Sequence, residues 1–497
     1  MENDAYNFFI KNNANIDDNK YAILYQDQKY TYADMKKNIN DFELLFYKYG
    51  IKSGGRVGII LPDTPQLIFI LFALWKIYAI PLLINYRFDQ KKIMEILDGN
   101  EIQMLLIDER VQKTLNEVID KFPFETYLVD NLNISYVNGV NLSKYTKEIS
   151  EPYFVIYTSG TEGKPKGVVH LQKNLVKCFE TFGRDVMNLC SDDIVYSVSK
   201  MTHTYGLGNS TYQVFAVGAT VVLCSGETIW DIEENINIHK PTVFCAIPSI
   251  YKMLLEDRNV YFRENVDFYC AGERLPFSIM TAWEKNFGCK IINGIGTTET
   301  LTTFISNKKA DNKEGSLGKC VKGFEVKIIK ETGEECKVDE IGFIGVKSDI
   351  ISPHYEHKEL TRVNGYFVTN DLAYKDINDY FWLIGRANQL FKINGKWVNG
   401  VEIEEVLNSL DFIKDAIVIN SNKFNDLDEV VGYIQLEKEY ELDIEMVRLI
   451  KKTVKKRLDH FKCPKVIVIV SSLPRNANNK KIIKDVPQGL IKSVHRI

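Results

Sequence analysis

Residues 157–170 read YTSGTEGKPKGVVH and gather three glycines, four hydroxyl-bearing side chains and two lysines in fourteen positions. Glycine tolerates positive φ and lets backbone N–H groups close on an anion. Gly160 and Gly163 supply that freedom, Thr158, Ser159 and Thr161 add donors, and Lys164 and Lys166 add charge. A polyphosphate is the ligand such a loop is equipped to hold. The spacing is not that of a P-loop, because no GxxxxGK(S/T) run is present. An exposed Gly/Lys loop between a strand and a helix is the bland alternative, and the density of hydroxyls counts against it.

The elements that must position this loop are legible as alternating patterns. YFVIY, just before it, reads as a strand. Similar apolar, β-branched runs recur (RVGII, ATVVLC, PTVFCAI, VDFYC, CKIIN), separated by segments of helical length and periodicity such as 174–187. That alternation predicts layered α/β architecture with largely buried strands. From about 315 to 383 shorter strands and turns predict a β-rich subdomain. After Arg386 a small α+β pattern follows: a helix in VEIEEVLNSL, strands in DAIVIN and EVVGYIQLE, an amphipathic helix over 443–461 and a last strand in KVIVIV. The expected division is a large N-terminal domain, 1–387, and a small C-terminal domain, 388–497.

Composition narrows the function. The 497 residues correspond to about two to four domains at ordinary domain size. A net charge of −4 gives no global reason to expect nucleic acid or an anionic membrane as partner. Nine cysteines without a CxxC pair read as buried, reduced thiols of a cytoplasmic protein. The opening MENDAYNFFIKNN lacks the pattern of a secretory signal. The apolar stretch 66–86 is broken by Lys76 and Pro81 before reaching the roughly 20 residues that span a bilayer. Asp63 and Thr64 stand as cap residues ahead of Pro65, so the stretch reads as a buried helix followed by a buried strand.

Further motifs keep company with the glycine loop, in order: HTYGLG at 203–208, AGERLP at 271–276, NGIGTTET at 293–300, GYFVTND at 365–371, GRANQLFKINGKWVNGVEIEEVL at 385–407, DHFKCP at 459–464 and LPRNANNKK at 473–481. Together with the loop they resemble the adenylate-forming superfamily of acyl-CoA and aryl-CoA ligases, luciferase and peptide-synthetase adenylation domains. YGLGN, GIGTTE and DHFKCP look most like its benzoate-CoA ligase branch.

The resemblance implies ATP-dependent activation of a carboxylic acid as an acyl adenylate, then transfer to a thiol. It implies that the loop, with Thr158, Ser159, Gly160, Thr161, Gly163, Lys164 and Lys166, cradles the β- and γ-phosphates. Thr298 would bond the α-phosphate and Glu299 would hold Mg2+. Gly272, Glu273 and Asn293 would line the adenine slot, with Gly294 and Thr297 completing the nucleotide site. Asp371 would accept the ribose hydroxyls, a task suited to an acceptor-only carboxylate, and Arg386 would reach ribose or phosphate. Lys480 would close over the carboxylate and α-phosphate; spacing from Leu473 selects it, whereas Ile482 favours Lys481. The resemblance also implies a mobile C-terminal domain pivoting at Asn388, a neutral residue where Asp or Lys is usual, and bringing Lys392 and Gly395 to the thiol tunnel.

For the acid, the same resemblance assigns His203, Thr204, Tyr205, Gly206, Ile295, Gly296, Thr302 and Thr303 to the pocket wall. Buried hydroxyls need partners, so the threonines point to a small polar or hydroxylated aryl acid and away from a long alkanoate. CoA is the expected thiol; a carrier protein's phosphopantetheine arm is the nearest alternative, and the basic run 451–462 suits either or neither. A non-catalytic adenylate-binding protein, or a phosphotransferase using the glycine loop alone, are readings from other classes.

Overall fold

Strands that are apolar on both faces must be covered on both sides, and the structure covers them in layers. The computed structural model describes residues 5–11, 13–115, 122–132, 153–158, 165–224, 226, 228–256, 260–387, 390–393, 396–421, 423, 429–474 and 487–496, with the side chains of 131, 392 and 397 excepted. The chain divides into two units, the first comprising Met1–Asp339, Gly345–Thr369 and Lys375–Trp382.

This first unit holds two large sheets. One has nine strands, in the order Lys319–Cys320, Thr303–Ser306, Ile291–Gly296, Asp267–Cys270, Val243–Ala246, Ile194–Ser197, Thr220–Leu223, Tyr21–Tyr25, Gln28–Thr31. Its interior strands pair in parallel, with Val243 opposite Asp267 and Phe268 opposite Ile291, and antiparallel strands close both edges. The other has eight, in the order Lys358–Glu359, His354–Tyr355, Lys166–Leu171, Tyr153–Thr158, Ile80–Leu83, Arg56–Ile60, Met104–Ile107, Glu125–Leu128. Each predicted apolar run thus becomes a strand. Three short strands from the 315–383 segment, Lys319–Cys320, His354–Tyr355 and Lys358–Glu359, extend these large sheets.

The helix Pro65–Lys76 is buried on every side from Leu67 to Trp75, and its Phe72 and Trp75 rings pack in the same core as Phe154 and Phe215. A helix apolar all round belongs inside a protein, and the strand Ile80–Leu83 follows it, as the sequence predicts. Thr64 occupies the cap position without a side-chain cap bond, while Asp63 instead accepts from the Met201 amide at 3.1 Å. No helix among the described residues is long and apolar enough to cross a membrane. The predicted helix 174–187 is α-helical over Gln172–Cys178 and π-helical over Phe179–Arg184. There Thr181 Oγ1 donates to the carbonyls of Lys177 and Cys178 at 2.9 and 3.2 Å, inserting a hydroxyl into the helical ladder.

The second unit comprises Glu340–Ile344, Asn370–Tyr374 and Leu383–Ile497. A four-stranded sheet, ordered Ile413–Ser421, Glu429–Leu436, Val466–Val470, Ile491–Arg496, packs with the helices Gly400–Leu407 and Ile444–Arg457. Asp443 caps the longer helix by accepting from the Met446 amide at 2.7 Å, and Ile450 and Val454 face the core. The final strand extends this sheet beyond KVIVIV, the last one the sequence reading identifies.

His170 sits fully buried in the strand Lys166–Leu171, opposite Phe154. Burial lowers its pKa from 6.5 to about 3, against a weaker upward pull from the Thr298 backbone. The unfolded chain therefore binds a proton that the folded chain refuses between those values, and stability falls as pH drops below about 6.5, at up to about 1.4 kcal/mol per pH unit. Urea denaturation at pH 7 and pH 5 should show wild type losing about 2 kcal/mol more than His170→Gln across that interval. Parallel losses would remove His170 as a source of acid sensitivity.

Candidate active site

The strand Tyr153–Thr158 and the strand Lys166–Leu171 form an antiparallel hairpin in which Thr158 pairs with Lys166. The glycine loop therefore closes a strand-to-strand hairpin. Ser159, Gly160, Thr161, Gly163 and Lys164 lie outside the described residues. The base of the hairpin is clamped from below. Glu356 pairs with Arg56 and accepts from the Tyr157 hydroxyl, which also receives Asn100 Nδ2 at 2.8 Å. The Glu356 side chain is 5% exposed, so its charge is held by partners and not by water. Burial disfavours the Arg56 charge, but adjacent Glu356 outweighs it and holds the guanidinium above its ordinary value. Gly167 is required here, since an added Cβ would collide with the Glu356 carboxylate.

The second constellation follows the carboxyl end of the strand Ile291–Gly296, the end where open α/β sheets bind ligands. Residues 297–302 form a tight turn organised by the fully buried Thr300, whose Oγ1 receives the Thr297 amide at 3.0 Å and donates toward the Thr297 and Thr302 carbonyls. Leu301 takes the left-handed conformation, φ 61°. Glu299 is thereby presented at the turn's outer edge. Its carbonyl accepts the Ser352 amide at 2.8 Å, and its Oε1 accepts the Tyr355 hydroxyl at 2.8 Å. Tyr355 pairs with Val168 of the hairpin, and Lys166 Nζ lies 5.8 Å from its ring centroid. The structure thus brings Glu299, Thr298 and Lys166 to the base of one loop.

Among the described residues no group of three or more His, Cys, Asp or Glu side chains could hold a metal. A cation at Glu299 would take its other ligands from phosphate oxygens and water, a donor set that suits Mg2+. Asn293 is buried in its strand, and its Oδ1 has no hydrogen-bond partner among the described residues, an orphaned acceptor that the exocyclic amine of adenine would satisfy. Gly272, at φ 91°, and Glu273 follow the strand Asp267–Cys270 in the same unit.

A closely packed region of this unit, with no room for a water molecule, is bordered by Phe182, Tyr205, Tyr269, Ala271, Thr303 and Ser306, among others. Tyr205 and Thr303 of the predicted wall lie on it, and Gly294 is a neighbour in the lining. His203, Thr204, Gly206, Ile295, Gly296 and Thr302 are not part of this lining. His203 stands at the N-cap position of the helix Thr204–Ser210 without a side-chain cap bond, its Nε2 3.5 Å from Asn85 Nδ2. At Gly206 a Cβ would strike the Ser199 and Lys200 carbonyls, so this glycine allows the close helix entry.

In the second unit Asp371, 7% exposed, and Arg386 form an ion pair, Nε to Oδ1 3.4 Å. Lys392 lies on the strand Leu390–Ile393. Its side chain, with Asn388, Gly395 and Lys480, lies outside the described residues. The sequence reading missed Tyr355, Glu356, Arg56 and Thr300. Their roles depend on contacts far along the chain, and HYEHKEL carries no pattern that separates Tyr355 and Glu356 from surface residues.

The family model described as AMP-binding enzyme matches residues 10–356, and the one described as AMP-binding enzyme C-terminal domain matches residues 402–480. The chain is 25% identical over 498 residues to a 4-hydroxybenzoate–CoA/benzoate–CoA ligase of Rhodopseudomonas palustris, covering 96% of this chain and 92% of that one. It is 26% identical over 470 residues to a benzoate–CoA ligase of Thauera aromatica, covering 91% and 89%. The crystal structure of the anthranilate CoA ligase AuaEII in complex with anthranoyl-AMP superposes with a TM-score of 0.88 at 25% identity, covering 96% of this chain and 95% of that chain.

Removing one partner of a buried ion pair leaves the other uncompensated. Glu356→Ala should therefore cost about 3 kcal/mol of unfolding free energy in urea denaturation. The double variant Arg56→Met/Glu356→Leu should recover much of that loss. A single variant within about 0.5 kcal/mol of wild type would mean the pair does not hold the hairpin.

Proposed function

The chain belongs to the AMP-binding enzyme family, in its AMP-forming, acyl-CoA synthetase type, and from that premise we propose that it joins a small aryl or hydroxyaryl acid to CoA. One observation carries the nucleotide half of this reading. The lone carboxylate of Glu299 stands at the base of a loop of glycines, hydroxyls and lysines, joined to it through Tyr355. That is the donor set for a polyphosphate and one hard cation.

The chemistry follows from the electrophile. A carboxylate cannot expel oxide, so its oxygen first attacks the α-phosphorus of ATP and pyrophosphate leaves. The thiol of CoA, as thiolate, then attacks the acyl carbonyl, and AMP leaves with the oxygen taken from the acid. The first step brings an anion to a polyanion, so positioning and charge neutralisation carry the catalysis. Magnesium bound at Glu299 would neutralise phosphate charge. Thr298, with Lys166 and the rest of the glycine loop, holds the phosphates, and Asn293 reads the adenine. Asp371 and Arg386 serve the ribose and its phosphate. Lys480 holds the acid's carboxylate against the α-phosphate, and rotation about Asn388 brings Lys392 and Gly395 to the thiol for the second step.

The aryl class is read from the residue types around this packed region, which must open to admit an acid: Phe182, Tyr205 and Tyr269 are aromatic, and Thr303 and Ser306 carry hydroxyls. Relatives that act on benzoate and hydroxybenzoates support the same class.

ATP–pyrophosphate exchange across benzoates, hydroxybenzoates, alkanoates and amino acids tests this directly. Hydroxybenzoates or benzoate should support exchange better than octanoate, and addition of CoA should release AMP. Better exchange with octanoate would overturn the acid, and exchange without CoA turnover would point to a carrier protein. Lys480→Ala should lower exchange by about 10²–10³-fold while sparing thiolation of a supplied acyl adenylate. Equal loss of both steps would contradict its assigned role.

A further inference from the structure

Glu299 does not stand alone. Its carboxylate accepts the Tyr355 hydroxyl at 2.8 Å, and its carbonyl accepts the Ser352 amide at 2.8 Å, so residues 352–355 grip both its side chain and its main chain. The gripping segment is itself immobilised. The strand His354–Tyr355 adds to the hairpin by pairing Tyr355 with Val168, and the Glu356 amide donates to the Gly167 carbonyl at 2.9 Å. One residue on, the buried Glu356 is locked by Arg56 and Tyr157. The Tyr355 ring is half-buried with Lys166 Nζ above it.

We propose that Tyr355 is a positioning residue for the metal: its hydroxyl orients the Glu299 carboxylate at the base of the glycine loop, so that the cation accompanying ATP meets a preformed ligand. The inference rests on the assignment of Glu299 as that ligand. A carboxylate offers about four lone-pair sites on two oxygens. One bond from Tyr355 to Oε1 restrains the position of that oxygen and leaves acceptor capacity for a cation. Hydrogen-bonded partners of this kind commonly change metal affinity by about 10–100-fold when removed. Tyr355 also ties the two halves of the phosphate site together. Glu299 follows a strand of the nine-stranded sheet, whereas Tyr355 belongs to the eight-stranded one.

The test measures binding, so that nothing turns over. ATP is titrated calorimetrically onto the full-length protein without acid, at a series of Mg2+ concentrations and in EDTA. Tyr355→Phe keeps the ring and removes only the hydroxyl. It should raise the Mg2+ midpoint for ATP binding about tenfold and leave metal-free ATP affinity and the melting temperature unchanged. Tyr355→Leu, a second apolar variant, should give the same midpoint. Glu299→Gln should abolish the Mg2+ dependence, and adding Tyr355→Phe to it should change nothing further. An unchanged midpoint in Tyr355→Phe, with the dependence lost in Glu299→Gln, overturns the role of Tyr355 alone. A lowered midpoint overturns it too, because the hydroxyl would then be competing with the metal. If Glu299→Gln keeps its Mg2+ dependence, the metal assignment falls and this inference falls with it.

Discussion

Glu356 is a carboxylate held almost out of water beneath a loop built to carry lysines, and the neighbouring architecture follows from keeping it paired. A buried charge is tolerated only with an opposite charge and hydrogen bonds around it. Arg56 comes from the centre of the eight-stranded sheet, Tyr157 from the strand entering the glycine loop, and Gly167 from the strand leaving it. Meeting these three demands pins residues 354–356 along the hairpin. Tyr355 is thereby fixed where its hydroxyl reaches Glu299, which comes from the other sheet. The proposed phosphate site would in this sense be a junction between sheets, held by a few polar contacts over a large apolar core.

How much of this was legible in the sequence depended on range. The buried strands were visible because runs such as RVGII and PTVFCAI are apolar on both faces, and the helix Pro65–Lys76 because proline follows cap residues and precedes an apolar run. The glycine loop suggested a polyphosphate by composition, and most of it lies outside the described residues. Its flanks were less plain, since KGVVHL was free to open a helix or return as a strand until its pairing with Tyr153–Thr158 decided it. The switch to a π-helix at Phe179, where Thr181 Oγ1 bonds back to the Lys177 carbonyl, left no mark in the periodicity. The strand Ile491–Arg496 was missed because one face is exposed and the other only half-buried, so it lacks the apolar run that marks the buried strands. Tyr355, Glu356 and Arg56 were out of reach altogether, because partners up to 300 positions apart leave no local periodicity.

The site's chemistry is economical in protein charge. The described residues offer no cage of carboxylates for a cation, and a metal brought by a nucleotide needs none, because the phosphates complete its coordination. On the function proposed above, what the protein would add is orientation: one carboxylate for the cation, a loop rich in glycine and hydroxyls for the phosphates, and a lysine for the carboxylate under attack.

The central claim is that an oxygen of the acid attacks the α-phosphorus of ATP, and isotope transfer reads that bond directly. An acid that supports exchange, labelled with 18O in both carboxylate oxygens, is turned over with ATP and CoA, and the nucleotide product is examined by mass spectrometry. Attack at the α-phosphorus places one 18O in AMP and none in pyrophosphate. Label appearing in inorganic phosphate with ADP as the nucleotide, or AMP carrying none, would contradict the account.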